Sequence, residues 1–238
     1  MLAGVMCAPA ERLMTTYSVL LFDLDGTLLD SVPLILDSFE HAFEAIGRTP
    51  PPRAELLAGV GTPLVDHFAR WTTRADEQAA LFAHYRAFNL AHHDARVSAF
   101  DGVVGLVEDL RRARRRLGLV TSKNRSTAKR GLDVMGLTDA FEVVVGCDDV
   151  RRPKPDREPV DVALERLRWH DRAAVLFIGD SLHDLACGRA AGVATAAALW
   201  GPFGRDELAR GEPTHWLESP DDLRDVVGVG GGGTRNDP

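Results

Sequence analysis

Asp23 and Asp25 stand one residue apart at the end of the apolar run in LLFDLDGTLLDS, residues 20–31. Charged side chains rarely close a buried strand without partners. Residues i and i+2 of an extended chain project to the same side. Two carboxylates so placed repel, and one stays protonated unless a cation intervenes. Asp180 and Asp184, in GDSLHD, bring two more carboxylates after a second apolar run. Hard oxygen donors of this kind suit Mg²⁺, which binds a few carboxylates together with waters and substrate phosphate. Gly26 permits a sharp turn that leaves backbone amides free to meet an anion. Thr121, Ser122 and Lys154 add two hydroxyls and a cation, groups suited to phosphate oxygens. In such a set one carboxylate can attack phosphorus, forming an aspartyl-phosphate. Another can protonate the leaving oxygen and later take a proton from the attacking water. The cation and the lysine would offset charge on the transferring group.

These residues can cooperate only if the fold brings them together. Short apolar runs at 19–23, 117–121, 141–146, 174–180 and 193–199 alternate with stretches of helical spacing, such as Leu106, Val107 and Leu110 or Val160, Ala163, Leu164 and Leu167. That alternation predicts an α/β fold, a mostly parallel sheet with helices on both faces. Asp23, Thr121 and Asp180 each close a predicted strand, and Lys154 lies in the loop after another. Ligands of open parallel sheets bind at the carboxyl ends of the strands, so four distant parts of the chain converge on one crevice.

Residues 32–97 break the alternation. Val32, Ile35, Phe39, Phe43 and Ile46 repeat at helical spacing, Pro33 is tolerated in a first turn, and Pro50–Pro52 interrupt the pattern. PLVDHFARW and DEQAALFAHYRAFNLAHHD read as further helices. The block is therefore expected to be an all-helical insertion after the first strand, with hinges near 30–32 and 97–101. The expected organisation is a flexible tail at 1–16, a core at 17–31 and 98–226, the helical insertion at 32–97, and a disordered Gly-rich tail at 227–238. Met14 is an alternative translation start.

A net charge of −7 argues against a general nucleic-acid or anionic-membrane partner, which would call for a basic surface. No apolar stretch is long enough to span a membrane, and the first 17 residues lack the pattern of a signal peptide. Cys7, Cys147 and Cys187 are widely spaced and odd in number, which fits a reduced, cytoplasmic setting rather than disulfides or a metal site.

DLDGT, VTS, KPD and GDSLHD, in this order, resemble the four motifs of the haloacid dehalogenase-like (HAD) superfamily. The resemblance covers roughly residues 17–226. It implies a Rossmann-like core with a helical cap inserted after the first strand. It also implies that Asp23 is the nucleophile and Asp25 the general acid/base, and that Thr121 and Lys154, with Ser122 beside them, hold the phosphoryl group. Mg²⁺ would be ligated by Asp23, the Asp25 backbone carbonyl and Asp180, with Asp184 in support. Dehalogenase and P-type ATPase members lack an aspartate at the Asp25 position, whereas phosphatases and mutases have one, and phosphatase is the reading the resemblance favours. TSKNRSTAKRGLDVMGL, VVVGCDDVRRPKPDREPV and YRAFNLAHHD are similar to bacterial inorganic pyrophosphatases of the superfamily, themselves close to phosphoglycolate phosphatases. GVGTP, 59–63, resembles the cap loop that contacts substrate in both groups. The implied substrate is pyrophosphate, with 2-phosphoglycolate close behind.

Plainer readings compete at each position. DGT alone marks a turn, and Thr121 and Ser122 can cap a helix as readily as bind phosphate. Asp184 suits the first turn of a helix. HHD at 92–94 reads as a solvated helix end ahead of a role near the hinge or substrate mouth, and not as a metal site, because adjacent residues diverge by about 100° and cannot easily share one ion. RRARRR at 111–116 reads as a solvated helix end rather than a nucleic-acid site. Trp200 is placed at the crevice edge. A β-phosphoglucomutase-like sugar phosphomutase is the alternative enzyme, with Arg53, Thr62, His67 and His92 as its polar cap groups. A phospho-accepting signalling domain would be smaller and lack the insertion, and an inactive scaffold would be expected to have lost one of the key residues. The partner implied is a small phosphorylated molecule; the oligomeric state is not legible.

Overall fold

The computed structural model describes residues 17–230. In chain order its elements are β1 (Val19–Phe22), β2 (Leu29–Asp30), α1 (Val32–Ala45), α2 (Arg53–Leu57), α3 (Leu64–Ala69), α4 (Ala75–Arg96), β3 (Ser98–Ala99), α5 (Val103–Arg112), β4 (Arg116–Val120), α6 (Arg125–Val134), β5 (Val143–Val145), α7 (Glu158–Leu167), β6 (Val175–Gly179), α8 (Leu182–Ala190), β7 (Ala194–Ala198), α9 (Arg205–Leu208), β8 (His215–Leu217) and α10 (Pro220–Val227). The expected tail at 1–16 and most of the one at 227–238 lie outside the described residues.

Six strands form one parallel sheet in the order β5-β4-β1-β6-β7-β8. β1 sits centrally, paired on both sides and buried throughout, as its uninterrupted apolar sequence requires. Leu20, Phe22, Leu117, Leu119 and Ile178 pack in one hydrophobic cluster, and Val19, Leu21, Val120 and Phe177 in another. Phe22 is level with Leu119 of β4 and Ile178 of β6. The residues that follow these strands therefore emerge at nearly one height.

The sheet departs from the sequence reading at one edge. β8, of three residues with His215 first, is too short and too polar to show strand periodicity. β2 and β3 escaped it for the same reason. They pair antiparallel, Leu29 with Ala99 and Asp30 with Ser98, so the two connections on either side of residues 32–96 are tied to each other. Between them lie α1 to α4. α1 and α4 pack along each other, and Ile35, Phe39, Phe43, Leu56, Phe68 and Leu81 belong to a third apolar cluster that also takes in Leu185 of α8, Ala197 of β7 and Leu208 of α9. Burying side chains of this size is worth about 1.5–3 kcal/mol each. No described helix is long and apolar enough to cross a membrane.

Two further expectations need correction. Val227 closes α10 and Val229 is buried against the main cluster, so the chain remains ordered past 227. In the 111–116 run Arg111, Arg112 and Arg114 are exposed, but Arg115 donates to the Val227 carbonyl at 2.7 Å and Arg116 opens β4 and forks onto Glu142 at 3.0 Å.

Candidate active site

The chain leaves β1 at Phe22, and the Asp23 amide donates to the Ile178 carbonyl at 2.9 Å, which fixes Asp23 at the mouth of the sheet. Leu24 then turns inward, and its carbonyl accepts from the amides of Leu28 and Leu29, both at 2.9 Å. Gly26 takes φ +81° to make this turn. A β-carbon there would lie 2.4 Å from Asp180 Oδ2, so only glycine lets the loop approach the second aspartate. Gly201 plays the same part from the loop after β7, where a β-carbon would come within 2.5 Å of Asp180 Cβ. Thr27 Oγ1 donates to Asp180 Oδ1 at 2.6 Å, and Trp200 Nε1 donates to the Thr27 carbonyl at 2.8 Å. Trp200 thus braces this turn from outside.

α8 begins at Ser181, whose hydroxyl donates to Asp184 Oδ2 at 2.6 Å while the Ser181 amide donates to the same oxygen at 3.1 Å. This reciprocal cap gives Asp184 its place in the first turn. Its other oxygen accepts from Lys154 Nζ at 2.6 Å, and Lys154 also donates to Asp23 Oδ1 at 2.9 Å. Asp184 is at once a helix cap and a partner of the lysine. Asp23, Asp180 and Asp184 offer oxygens within 4.8 Å of one another. They are 5%, 1% and 1% exposed, and Lys154 is 3% exposed.

Three buried carboxylates face one ammonium. Burial pushes the Asp23 carboxyl up to about 7; Lys154 pulls the other way, and Asp184 and Asp25 add to the push. Asp180 is raised well above the usual carboxylate range, by burial first and then by Asp184 and Asp23. Burial would lower the Lys154 ammonium, but Asp184 and Asp23 outweigh it and hold it above its ordinary value. These are the signatures of a cluster short of positive charge. The donors are all hard oxygens, so the residues fit a small divalent cation.

Asp25 sits apart from that cluster. The strand has ended before it, so it lies in the turn rather than two residues along an extended chain. Its carboxylate accepts from the Ser31 hydroxyl and the Lys123 ammonium. Asp23 and Asp25 nevertheless line one cavity of about 230 Å³, together with Thr121, Ser122 and Lys123 on the sheet side. Thr121 is buried, and its hydroxyl accepts from the Lys123 amide at 3.3 Å. Neither Thr121 nor Ser122 caps α6; Asn124 does, its side chain accepting from the Thr127 amide at 2.9 Å. Ser122 Oγ instead donates to the Gly61 carbonyl at 2.5 Å, joining the sheet side of the site to the 59–63 loop.

The helical block supplies the cavity's other wall. Gly59 to Pro63 line it, with Gly61 at φ +97° and its Cα side turned to Ser181. His67 is buried between this loop and Phe39, with ring centroids 4.1 Å apart. Burial pushes its imidazole down to about 4, helped by Arg70, so it is neutral at pH 7. Of the four polar groups weighed for a sugar, only Thr62 and His67 reach the cavity. Arg53 pairs with Asp37 and Glu40, and His92 is exposed and bonded to the Phe88 carbonyl. His93 corrects the solvated reading of HHD. It is fully buried, with Nδ1 2.9 Å from Asp94 Oδ1. Lys123 and Tyr85 were not singled out by sequence. Lys123 was visible only as the third residue of TSK, with its partner 98 residues away.

A parallel sheet, a turn that aims one aspartate into the cavity, and a lysine among three buried carboxylates define an α/β protein with a polar, acidic site at the carboxyl ends of its strands. The family model for haloacid dehalogenase-like hydrolases matches residues 20–198. The chain belongs to that family, and it is an enzyme of the hydrolase class. Among curated relatives, pyrophosphatase PpaX of Bacillus velezensis is 37% identical over 212 residues, covering 89% of this chain and 97% of the relative. Pyrophosphatase PpaX of Anoxybacillus flavithermus is 39% identical over 213 residues, with the same coverage. Among solved structures, a haloacid dehalogenase-like family hydrolase from Streptococcus pneumoniae aligns with TM-score 0.78 and 26% identity, over 89% of this chain and 99% of that one. A protein provisionally assigned as a phosphoglycolate phosphatase from Lactobacillus plantarum gives TM-score 0.78 and 27% identity over the same shares.

Proposed function

We propose that this enzyme is a Mg²⁺-dependent phosphohydrolase that works through an aspartyl-phosphate, with pyrophosphate its first substrate and 2-phosphoglycolate its second. The observation that carries the reading is the Lys154 contact to Asp23 and Asp184 inside a buried three-carboxylate cluster. The pyrophosphatase name of relatives 36–39% identical supports the choice of substrate.

In this reading Asp23 attacks phosphorus and the bond to the leaving oxygen breaks, with a proton delivered by Asp25. Asp25 then takes a proton from water, whose oxygen attacks the same phosphorus and frees Asp23. Thr121 and Ser122 hold phosphoryl oxygens, and Lys154 both orients Asp23 and offsets charge as the oxygens turn outward. Asp23, the Asp25 carbonyl and Asp180 would hold Mg²⁺, with Asp184 in support, and the ion would supply charge neutralisation for attack and transfer. Residues 32–97 act as a cap that screens the reaction from bulk water, the paired β2 and β3 serving as its base. The free thiols Cys147 and Cys187 accord with a reducing, cytoplasmic setting. The largely apolar cap wall disfavours a sugar, and with it the phosphomutase.

The test is phosphate release by the purified protein with Mg²⁺, on pyrophosphate, 2-phosphoglycolate and sugar phosphates, with Asp23→Asn as control. Turnover of pyrophosphate that Asp23→Asn abolishes is expected. Turnover surviving in Asp23→Asn would overturn the assignment of the nucleophile, and a preference for sugar phosphates would overturn the substrate.

A further inference from the structure

On its helical side the cavity has mainly apolar walls, among them Ile35 and Phe39 of α1 and Phe82 and Leu90 of α4. Two cations line it. Lys123 is committed, its ammonium bonded to Asp25. Arg86, on α4, is half-buried, with its guanidinium carbon 5.7 Å over the Phe82 ring centroid. No carboxylate among the described residues pairs with it, whereas Arg48, Arg53, Arg74 and Arg96 of the same helical block each have one.

Such an arrangement asks for an anion. A guanidinium cannot shed its proton, and holding it partly out of water without a counter-charge costs free energy that a bound anion would offset. His67 is neutral and adds no charge of its own. The phosphoryl group under attack belongs against Asp23 and Lys154, so an anion at Arg86 belongs to the other half of the substrate.

We infer that Arg86 is a specificity-determining residue that recognises a leaving group carrying its own negative charge, a phosphate or a carboxylate. The enzyme thereby selects substrates with an anion at both ends over monoesters that release a neutral alcohol. This inference rests on the phosphohydrolase reading and adds to it the feature that separates pyrophosphate and 2-phosphoglycolate from other small phosphate compounds. The fork of Arg86 can meet either anion with two parallel hydrogen bonds, and its seat on Phe82 limits how far it can swing.

The experiment compares kcat/KM with Mg²⁺ for wild type, Arg86→Met and Arg86→Lys on matched substrates. Pyrophosphate and 2-phosphoglycolate have charged leaving groups; methyl and ethyl phosphate have neutral ones. Wild type should prefer the charged set. In Arg86→Met the ratio of charged to neutral should fall by about 10²-fold, as expected when one charge-assisted contact is lost, and Arg86→Lys should recover part of it. The charged substrate with the larger fall identifies which anion Arg86 serves. A ratio unchanged in Arg86→Met, or an even loss on both sets, would overturn the inference while leaving the proposed function standing. A wild type active on the esters but indifferent to leaving-group charge would do the same. A wild type inactive on all four would overturn the proposed function itself, and this inference with it.

Discussion

Asp23→Asn should stabilise the metal-free protein at neutral pH while removing its activity. The Asp23 carboxyl is raised from an ordinary 3.8 to about 7 by burial, in spite of Lys154. A carboxyl raised in the folded state binds its proton more tightly there than in the unfolded chain. Its contribution is fully present below pH 4 and is lost as pH rises through 7. The distance from 3.8 to about 7, at 1.36 kcal/mol per pH unit, amounts to roughly 4 kcal/mol as an upper figure. Asparagine mimics the protonated acid, so the variant and wild type should be alike near pH 4 and diverge to about 2–4 kcal/mol by pH 8. Asp180 shifts in the same direction, by burial first and then by Asp184 and Asp23, so losing the Asp23 charge also relieves Asp180 and adds to the gap between the two curves. Urea unfolding followed by circular dichroism, with chelator, at half-unit intervals from pH 4.5 to 8 would give both curves. Mg²⁺ should then stabilise wild type more than the variant, since a ligand that binds only the folded state raises its stability by mass action. A variant no more stable than wild type at pH 8, or a gap that narrows with rising pH, would refute the electrostatic account of this site.

Most of what positions the site was legible because it rests on long apolar runs. β1, β4, β6 and β7 each carry enough buried residues to declare themselves, and Asp23, Thr121 and Asp180 follow three of them directly. Parallel pairing then does the rest, since Phe22 is level with both Leu119 and Ile178. β2, β3 and β8 were silent, being two or three residues long and held by partners distant in sequence. The β8 residue His215 lies 2.8 Å from the Tyr17 hydroxyl across nearly the whole chain, a contact with no local trace. Lys123 was silent for the same reason, because a lysine in a loop reveals nothing until Asp25 is beside it. HHD was half-read. The step of about 100° between His92 and His93 argues against a shared metal, and the same step puts one ring in water and its neighbour in the interior. The helix-cap reading of Asp184 was legible from its place after GDS, whereas its contact with Lys154 was not: one oxygen caps α8 and the other meets a lysine 30 residues away.

Two substitutions test the architecture around Asp180 and Lys154. Gly26→Ala places a β-carbon 2.4 Å from Asp180 Oδ2 at φ +81°, whereas Gly47→Ala has a similar φ of +73° and nothing within 4 Å. Both should lose about 1–2 kcal/mol to left-handed backbone strain, but only Gly26→Ala should also lose kcat, by tenfold or more; equal kcat in the two variants would show that the close approach is immaterial. Lys154→Met removes the ammonium that stands among Asp23, Asp180 and Asp184 and donates to Asp23 Oδ1 at 2.9 Å and to Asp184 Oδ1 at 2.6 Å. Breaking a buried pair from one side typically costs about 3–5 kcal/mol, and here the carboxylates left behind repel as well. The loss should therefore grow from pH 5 to pH 8 as Asp23 and Asp180, both raised by burial, ionise, and millimolar Mg²⁺ should restore part of the stability without restoring turnover, because an ion can replace the charge of Lys154 but not its hold on Asp23 Oδ1. Chemical denaturation with and without Mg²⁺ distinguishes the outcomes. If Lys154→Met proved as stable as wild type at pH 8 without metal, the contacts of Lys154 to Asp23 and Asp184 would contribute no net stability, and the account of the cluster as short of positive charge would fail.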